Sequence, residues 1–454
     1  MPDRSPQPTD GSAEPAFAEA LFTDLYELTM LQAYDAEGMD RQAVFELFFR
    51  ELPECRRFAV AAGIDDVLSW LEGARFTDAD LAYLSGLGLF SEGFVERLGG
   101  WRFTGEVHAM AEGTIVWPDE PVVQVVAPIG EAQLVETLVL NQVHFQSVAA
   151  SKAARIVEAA GGRPVVDFGS RRSHGVDAAM KVARAAYLVG AAGTSNVLAG
   201  RRDGVPVYGT MAHSYIQAHD AEADAFERFA ALNPGTTLLV DTYDTLAGVE
   251  KVVELARRTG DRFDVRAVRL DSGDLARLAG SARRRLDEAG LHDVKVFASG
   301  GLDEYAIAAL LEEGAPIDGF GVGTRLAVCE DAPALDYAYK LVAYDGRARL
   351  KRSEGKGILP GRKQVFREVR GGRLVGDTIA RHGERGEGEP LLRPVMREGR
   401  RVEGVDFSLE AGRRRFADQR RALPPDALDI TPAGVDPPVR VSDALQRLAD
   451  SMKP

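Results

Sequence analysis

The stretch VRAVRLDSGDL, residues 265–275, shows the pattern that decides the fold. An apolar run ends in a polar group of Asp, Ser and Gly, and a helix-like segment follows. Short apolar runs of this kind recur along the middle of the chain, and most precede a helix. Continuous apolar runs are typical of buried parallel strands, and the intervening helices indicate βα units. The seven predicted strands lie in RPVVDFG (163–169), AAGTSNVLAG (191–200), VPVYGT (205–210), TTLLVDTYDT (236–245), VRAVRLDSGD (265–274), VKVFASGG (294–301) and IDGFGVGT (317–324).

The sequence on either side of this region has a different pattern of secondary-structure signals. Residues 19–150 mix strand and helix signals: a helix starting at Thr23 or Asp24, the strand-like AVFELFFREL, and a long helical pattern over 131–162. Residues 336–454 contain strand-and-turn sequence rich in Gly, Lys and Arg. The lone strands of the N-terminal part need partners, so we expect these two parts to form a second α/β domain. Residues 151–335 form the domain of βα units, which fits either a barrel or a doubly wound sheet. We expect residues 1–18 to be a disordered lead-in.

Composition excludes several classes of function. The 454 residues carry a net charge of -14, which argues against a nucleic-acid partner because phosphate backbones attract basic surfaces. No apolar run approaches the length of a membrane span, and the N-terminus does not resemble a signal peptide. The two cysteines, Cys55 and Cys329, show no CxxC spacing, which favours buried or partly buried thiols in a reducing cytosol.

Glycine-containing loops follow the last two predicted strands. Ser299, Gly300 and Gly301 follow one strand, and the GVGT segment with Gly321, Gly323 and Thr324 follows the next. Glycine lets backbone N–H groups approach an anion closely, and the following helix adds its dipole. Many barrel enzymes bind phosphate at such a position. The pattern therefore favours a phosphate site over two plain tight turns.

The RLDSGDL segment places a cation and acids at another strand end. Arg269 and Asp271 are two residues apart, so they point to the same side of a strand. Arginine can bind a carboxylate or phosphate with two hydrogen bonds, and aspartate can hold a ribose hydroxyl or Mg²⁺. The alternative is a helix-capping role, which we assign to Asp274.

Two further strand ends carry candidate binding groups. Phe168 and Arg171, in DFGSRRSHG, would suit a flat anionic ring, with a core phenylalanine and a solvated arginine as an equal alternative. His213 follows the strand that ends at Thr210. A lone histidine near a helix start is usually structural, but an imidazole among phosphate-binding loops can accept a phosphoryl group. His213 and His219 are six residues apart and lie on different faces of a helix, so a metal site is not predicted.

A set of motifs, taken in order, resembles the nicotinate phosphoribosyltransferases. Each motif is weak alone, but their order and spacing are specific from about residue 21 to about residue 420. The motifs are FTDLYELTM, DFGSRR, GTSNVLAG, GVPVYGTMAHSYIQAH, RLDSGDL, GFGVGTRL, YKLV and PGRKQVFR. The resemblance implies an irregular seven-stranded α/β barrel packed against a second α/β domain built from both chain ends. It also implies a cytoplasmic homodimer with shared active sites, to which the Tyr26 segment crosses from the neighbouring chain.

The resemblance also implies a reaction. Nicotinate and 5-phosphoribosyl 1-diphosphate would give nicotinate mononucleotide and pyrophosphate, in NAD biosynthesis by salvage. ATP, as a co-substrate, would be hydrolysed through a phosphohistidine at His213. Mg²⁺ would neutralise the pyrophosphate, with Asp271 as the one candidate protein ligand.

Residue roles follow by the same resemblance. Tyr26 and Phe168 match the two aromatic residues that sandwich the pyridine ring. Arg171, Thr210 and Arg269 match residues around nicotinate and the phosphoribosyl group, and Asp271 matches the acid on the ribose side. The 5-phosphate cradle corresponds to Ser299, Gly300, Gly301, Gly321, Gly323 and Thr324.

The choice of base depends on the TSN segment. Relatives that use nicotinamide place an aspartate near this segment, whereas Thr194, Ser195 and Asn196 provide no acid. An aspartate would repel the nicotinate carboxylate and a small hydroxyl such as that of Ser195 would not, so the sequence favours nicotinate.

Three other functions stay open at this point. The first is a nicotinamide phosphoribosyltransferase. The second is a phosphosugar isomerase or aldolase on a similar barrel, although no predicted strand end carries a Schiff-base lysine and Lys295 only opens a strand. The third is a phosphoribosyl-ligand sensor without activity, against which the full set of site residues argues. Lys356 and Lys363 either reach phosphates or are solvated.

Overall fold

The computed structural model describes residues 19–351, 358–431 and 438–452. The predicted lead-in and Lys356 lie outside these residues. The described chain divides into two compact units. The continuous unit is Lys152–Pro333, and the discontinuous unit comprises the described residues up to Ser151 and from Ala334 onward.

Strands and helices are named in chain order. The strands are β1 Gln42–Phe49, β2 Ala59–Val60, β3 Glu106–Ala109, β4 Ile115–Val116, β5 Val123–Pro128, β6 Val165–Asp167, β7 Gly193–Thr194, β8 Thr236–Leu239, β9 Val265–Leu270, β10 Lys295–Ala298, β11 Gly319–Val322, β12 Tyr337–Tyr344, β13 Arg347–Ala348, β14 Lys363–Arg370, β15 Arg373–Arg381, β16 Glu389–Pro390, β17 Arg393–Arg397, β18 Arg400–Arg401 and β19 Val439–Val441. The helices are α1 Leu25–Ala36, α2 Ile64–Gly73, α3 Asp78–Gly86, α4 Glu92–Leu98, α5 Ile129–Leu134, α6 Glu136–Ala159, α7 Val176–Leu188, α8 Val197–Asp203, α9 His213–Gln217, α10 Glu222–Leu232, α11 Thr245–Thr259, α12 Leu275–Glu288, α13 Glu304–Glu312, α14 Thr324–Ala327, α15 Leu409–Ala422 and α16 Asp443–Ser451.

The continuous unit contains a parallel sheet. Its strand order is β7-β6-β11-β10-β9-β8, and every neighbouring pair is parallel. Strands β6 and β11 are buried along their whole length, as the continuous apolar runs predict. Helix α11 buries Val249, Val252 and Val253 on one side, which is the spacing of an amphipathic helix.

Six of the seven predicted strand segments form this sheet. The seventh, VPVYGT, contributes only an isolated parallel bridge between Val207 and Thr194. Val207 is 48% exposed, so this segment lacks the burial that the other strands share. The described residues therefore form a six-stranded parallel sheet with one additional bridge at its β7 edge.

Parallel order brings the carboxyl ends of the strands to one edge of the sheet. The helices that follow β8, β9 and β10 each begin at an aspartate whose side chain accepts a backbone N–H of the first turn. These caps are Asp244, Asp274 and Asp303. The capping role predicted for Asp274 is confirmed, and Asp271 does not cap this helix.

The discontinuous unit is built on an antiparallel sheet. Its strand order is β13-β12-β1-β5-β3-β17-β18, so three strands from the N-terminal part of the chain lie in the middle and two strands from the C-terminal part lie on each side. Strand β1 pairs with β5 on one side and with β12 on the other. The Phe45 and Tyr339 rings stack across β1 and β12 with centroids 5.0 Å apart. A second sheet has the order β16-β14-β15-β19.

The helical pattern predicted as one helix over residues 131–162 is interrupted. The structure has α5 and α6 there, with Val135 between them in the φ -90°, ψ -1° conformation. The prediction of a single helix is wrong at this position, because the apolar spacing in the sequence continues across the interruption between the two helices. Among the described residues, we find no helix with both the length and the apolar character that crossing a membrane requires.

Candidate active site

Arg269 is the centre of the hydrogen-bond network at the carboxyl edge of the parallel sheet. Its Nε donates to Ser299 Oγ, its Nη1 to Thr210 Oγ1 and its Nη2 to Asp271 Oδ1, each at 2.8 Å. These partners follow three different predicted strands, and all four residues are predicted site residues. One guanidinium therefore connects three of the predicted loops.

Asp271 is held as a carboxylate. Its burial alone would raise the pKa, but hydrogen bonds from Ser299 and Arg269 and the charge of Arg269 outweigh this, so its pKa lies below the ordinary value. The Ser299 Oγ to Asp271 Oδ1 distance is 2.5 Å. Asp271 is therefore ionised at neutral pH and half-buried at the sheet edge.

Gly300 packs directly on the neighbouring loop. A Cβ at this position would lie 1.9 Å from the Asp271 carbonyl oxygen, and the residue has φ +94°. Gly301 follows with φ +66°, and Ser299 is buried. Glycine is thus required at Gly300 for both space and backbone conformation.

The second predicted phosphate loop divides into two parts. Gly321 lies inside β11, where a Cβ would be 2.4 Å from the Phe168 ring, so its missing side chain makes room for that ring. Gly323 follows the strand, and Thr324 opens α14 with an exposed side chain. Only Gly323 and Thr324 therefore lie beyond the end of the strand.

Phe168 lies beside the arginine network. The Arg269 Cζ atom is 5.3 Å from the Phe168 ring centroid, and the Phe297 ring lies at 6.0 Å from it. Arg171, in the 3₁₀ turn Ser170–Arg172, is exposed. The predicted neighbourhood of an aromatic ring and a guanidinium is present at Phe168, with Arg269 as the arginine that contacts the ring.

Asp167 holds the DFG segment in place by two hydrogen bonds of its side chain. Its carboxylate accepts a hydrogen bond from Thr194 Oγ1 and another from the Gly169 N–H, both at 2.7 Å. Ser195, half-buried, donates its N–H to the Asp167 carbonyl oxygen at 2.8 Å. Burial raises the pKa of Asp167, against the effect of these two hydrogen bonds. An acid thus lies beside the TSN segment, but both of its oxygens bind protein groups.

His213 begins α9 and is half-buried. Its Nδ1 lies 3.1 Å from Thr242 Oγ1, which follows β8. When charged, His213 adds a small contribution to the lowered pKa of Asp271. His219, in contrast, has its Nδ1 2.8 Å from the Tyr215 carbonyl oxygen and its ring packed on Tyr215. Its contacts are local to this segment.

Asp241 was not among the predicted site residues. One of its oxygens accepts hydrogen bonds from the Asp271 N–H at 3.0 Å and from Ser272 Oγ at 2.6 Å. Its other oxygen is buried and has no hydrogen-bond partner within the described residues. The signal that identified Asp271, an acid directly after a predicted strand, applies equally to Asp241 and could have found it.

Tyr26 belongs to the discontinuous unit. It lies on α1 and is 46% exposed. It lines a cleft of about 310 Å³ formed by Asp24, Tyr26, Glu136, Thr137, Leu140, Asn141, His144, Leu335 and Tyr337. Burial and the charge of Glu136 raise the pKa of its hydroxyl, so it is neutral. The pairing of Tyr26 with Phe168 around a pyridine ring stays a prediction.

Lys363 has neither of the two roles considered for it. Its Nζ lies 2.6 Å from Glu46 Oε2 and donates to the Leu359 and Gly361 carbonyl oxygens at 2.7 and 2.9 Å. The side chain is 3% exposed, so it is neither solvated nor available to a phosphate. Over the described ranges, no group of three or more His, Cys, Asp or Glu side chains could hold a metal ion.

Comparisons with known proteins agree with the motifs. Residues 21–144 match the nicotinate phosphoribosyltransferase N-terminal domain, and residues 164–357 match the nicotinate phosphoribosyltransferase family. The chain is 61% identical to nicotinate phosphoribosyltransferase pncB2 of Mycobacterium tuberculosis over 94% of this chain and 92% of that protein. It is 44% identical to the nicotinate phosphoribosyltransferase of Bacillus subtilis over 82% of this chain and 78% of that protein. The crystal structure of human nicotinic acid phosphoribosyltransferase superposes with a TM-score of 0.84 at 29% identity, covering 95% of this chain and all of that one.

Proposed function

The chain belongs to the nicotinate phosphoribosyltransferase family, and from this premise we propose that it joins nicotinate to 5-phosphoribosyl 1-diphosphate. The products are nicotinate mononucleotide and pyrophosphate, and the role is salvage in NAD biosynthesis. The observation that carries the proposal is the Arg269 network, in which Thr210, Asp271 and Ser299 all lie 2.8 Å from one guanidinium.

The chemistry needs positioning and charge more than a strong nucleophile. The C1–O bond of the ribose loosens toward pyrophosphate, the sugar becomes oxocarbenium-like, and the pyridine nitrogen attacks C1. Asp271, an ionised carboxylate, is suited to hold the ribose side and to stabilise positive charge there. The Ser299–Gly301 backbone and Gly323 would hold the 5-phosphate, and Phe168 would support the pyridine ring.

Selectivity for nicotinate follows from the charges near Phe168. The acid closest to the TSN segment, Asp167, uses its carboxylate for Thr194 and Gly169 and is buried. Arg269 contacts the Phe168 ring, and the exposed Arg171 follows three residues after Phe168 in the chain. A carboxylate-bearing base is therefore favoured over an amide, and nicotinamide is the alternative substrate to be tested.

Mg²⁺ is part of the proposal. Magnesium prefers oxygen ligands and commonly keeps several waters. The unpartnered buried oxygen of Asp241 fits a hydrated ion at this position, and Asp271 supplies a second carboxylate. Bound with the diphosphate, the ion would neutralise the charge that develops on the leaving pyrophosphate.

ATP coupling through His213 is a further part of the proposal. A ring nitrogen of His213 attacks the γ-phosphorus, ADP leaves, and water later releases phosphate from the phosphohistidine. The phosphoryl group adds up to two negative charges beside Asp271 and Thr242, which reorders the loops and strengthens substrate binding. His213 is supported in this role by its half-buried position and by its contact with Thr242, which follows a strand of the parallel sheet.

Four coarser expectations complete the proposal. The enzyme is a homodimer in which Tyr26 reaches the site of the neighbouring chain, and the exposure of Tyr26 on α1 supports this. The VPVYGT segment closes the parallel sheet into a seven-stranded barrel, which its bridge to Thr194 supports. A second α/β domain accompanies the barrel. The enzyme works in the cytoplasm.

One assay tests the proposal. Product formation is measured with nicotinate and with nicotinamide, each with and without ATP, and the protein is then analysed for acid-labile phosphate. We expect turnover with nicotinate, a clear stimulation by ATP, and phosphate on the wild type. His213→Ala should lose the stimulation and the phosphate, whereas the control His219→Ala should keep both. Equal or better turnover with nicotinamide, or ATP stimulation retained in His213→Ala, would contradict the respective part.

A further inference from the structure

Four charged side chains form a cluster in the continuous unit, and three of them are buried. We call it the anchor cluster: Lys152, Arg155, Glu304 and Asp331. The Lys152 Nζ atom lies 2.6 Å from Glu304 Oε2 and 2.9 Å from Asp331 Oδ1, and Arg155 Nε donates to Glu304 Oε1 at 2.8 Å. The Lys152 and Glu304 side chains are 2% and 0% exposed. The buried charges therefore pair with one another, and Asp331, with a side chain that is 19% exposed, lies at the edge of the cluster.

The anchor cluster joins the segments that leave the two predicted phosphate loops. Glu304 is the first residue of α13, three residues after Gly301. Asp331 comes shortly after α14, the helix that Thr324 opens. One ammonium group, that of Lys152 on α6, thus contacts both segments. No member of the cluster is among the predicted substrate contacts.

A second link lies nearer the surface. Arg325 directly follows Thr324, and its Nη1 lies 3.2 Å from Asp303 Oδ2 and 2.9 Å from Glu330 Oε2. The other oxygen of Asp303 accepts the Ala306 N–H at 2.8 Å and so caps α13. The Arg325–Asp303 pair, which we call the loop bridge, therefore connects the start of α14 to the cap that follows Gly301.

Stability alone is a poor reason for such an arrangement. Burying ions costs several kcal/mol each, and well-packed apolar residues often replace a buried ion pair without loss of stability. Buried ion pairs do impose a defined geometry on the elements that they join. Backbone N–H groups, unlike side chains, cannot turn to follow a displaced ligand, so a phosphate held by two loops needs the loops at a fixed separation.

We propose that the anchor cluster and the loop bridge are positioning devices that set the separation of the Ser299–Gly301 loop and the Gly323–Thr324 loop. Lys152 and Arg325 thereby determine the affinity for the 5-phosphate of the phosphoribosyl substrate without touching it. The inference rests on the proposed function, since that function puts the 5-phosphate between these loops.

Arg325→Ala tests the loop bridge with little risk to folding, because the side chain is 43% exposed. The KM for 5-phosphoribosyl 1-diphosphate should rise about tenfold, while the KM for nicotinate and kcat stay within about twofold. Arg325→Lys, which keeps the cation, should lie between wild type and Arg325→Ala. The matched control is Arg258→Ala, which breaks a surface ion pair with Glu227 of similar exposure that joins α10 and α11. A KM for the phosphoribosyl substrate that is the same in Arg325→Ala and in the control overturns the proposal.

The anchor cluster is tested with Lys152→Met, which keeps the Arg155–Glu304 pair, and with the double variant Lys152→Met/Asp331→Asn, which also neutralises the other carboxylate that Lys152 contacts. Both should weaken ribose 5-phosphate binding, measured by calorimetry, by about tenfold relative to wild type. If the single variant does not fold, the double variant and Arg325→Ala decide. Wild-type affinity for ribose 5-phosphate in the folded variants overturns the role of the cluster.

These readouts separate the two proposals. Ribose 5-phosphate binding does not depend on turnover, so a wild-type protein that forms no nicotinate mononucleotide refutes the proposed function by itself. A wild-type protein that is active, combined with variants whose phosphate affinity is unchanged, refutes only the positioning role.

Discussion

Two arginine–aspartate pairs of this protein have the same chemistry and different surroundings. Arg269 pairs with Asp271 at the edge of the parallel sheet, and their side chains are 11% and 29% exposed. Arg367 pairs with Asp377 in the discontinuous unit at 2.5 Å, with side chains 5% and 0% exposed. The first pair can exchange partners with an incoming ligand, and the second cannot be reached.

The other hydrogen-bond partners of the two arginines also differ in how easily they can be exchanged. Besides Asp271, Arg269 donates to two hydroxyl groups, which can rotate. Arg367 donates to the Ile115 carbonyl oxygen and to Gln419 Oε1, each at 2.7 Å, and lies 5.0 Å from the Trp117 ring centroid. The difference teaches that accessibility, more than residue type, separates a binding arginine from a structural one. We therefore expect loss of function from one pair and loss of stability from the other.

The largest effect is expected for Arg269→Ala. The substitution removes three hydrogen bonds that organise the site, and kcat/KM for nicotinate mononucleotide formation should fall about a thousandfold. Because the side chain is at the sheet edge, the melting temperature should change by only about 2 °C. Steady-state kinetics and thermal unfolding of the same preparation measure both. Near-normal activity, or unfolding of the variant, would remove the distinction between the two pairs.

Arg367→Ala should act in the opposite way. It leaves Asp377 buried without its cation, which costs about 3–5 kcal/mol of unfolding free energy. The activity of the molecules that remain folded should be close to that of wild type. Urea unfolding followed by circular dichroism measures the loss. Arg421→Ala is the control, because it breaks an ion pair with Asp418 whose partners are both about two-thirds exposed and should cost less than about 1 kcal/mol. Equal midpoints for the two variants would contradict the prediction.

The smallest effect concerns pH. Burial, and then the neighbouring charge of Asp377, hold the pKa of Glu120 well above its ordinary value, so the folded protein keeps a proton that the unfolded chain loses. Stability from Glu120 is therefore fully present below its unfolded pKa and declines as the pH rises toward the folded pKa. Asp271 has the opposite sign: its pKa is lowered, so its contribution is present at neutral pH and is lost in acid.

Glu120→Gln tests this sign. The neutral amide should flatten the decline of the urea midpoint between mildly acidic and mildly alkaline pH, and the variant should gain relative to wild type as the pH increases. Asp271→Asn should leave that part of the profile unchanged and alter only the acid side. A parallel pH profile for wild type and Glu120→Gln would show that Glu120 is ionised in the folded protein.

Local patterns were sufficient for much of the parallel sheet. Strands β6 and β8 to β11 lie within predicted apolar segments because burial on both faces requires such runs. The cap at Asp274 was also predictable, since it depends only on the residues that follow it. VPVYGT has the same local appearance, yet Val207 forms a single bridge. Whether a segment pairs with other strands depends on residues that are distant from it in the sequence.

The features that could not be predicted all depend on such distant partners. Lys363 lies in a basic segment, and its burial is explained by Glu46, which is 317 residues away in the sequence. Gly321 has the sequence context of a phosphate loop, but its size is required by the Phe168 ring. Asp241, in contrast, carried a local signal equal to that of Asp271. Residue roles at the site, the dimer, Mg²⁺ and ATP coupling stay predictions.

The antiparallel sheet combines strands from both ends of the chain, and this has a consequence for synthesis on the ribosome. Strand β1 pairs with β12, which emerges about 290 residues later. At about 5–20 residues per second, β1 waits roughly 15–60 s with one edge unpaired. The whole continuous unit has been synthesised before β12 appears, so it can fold before the antiparallel sheet that contains β1 is complete. During that interval the open edge of β1 is a site at which a chaperone can prevent pairing with other chains.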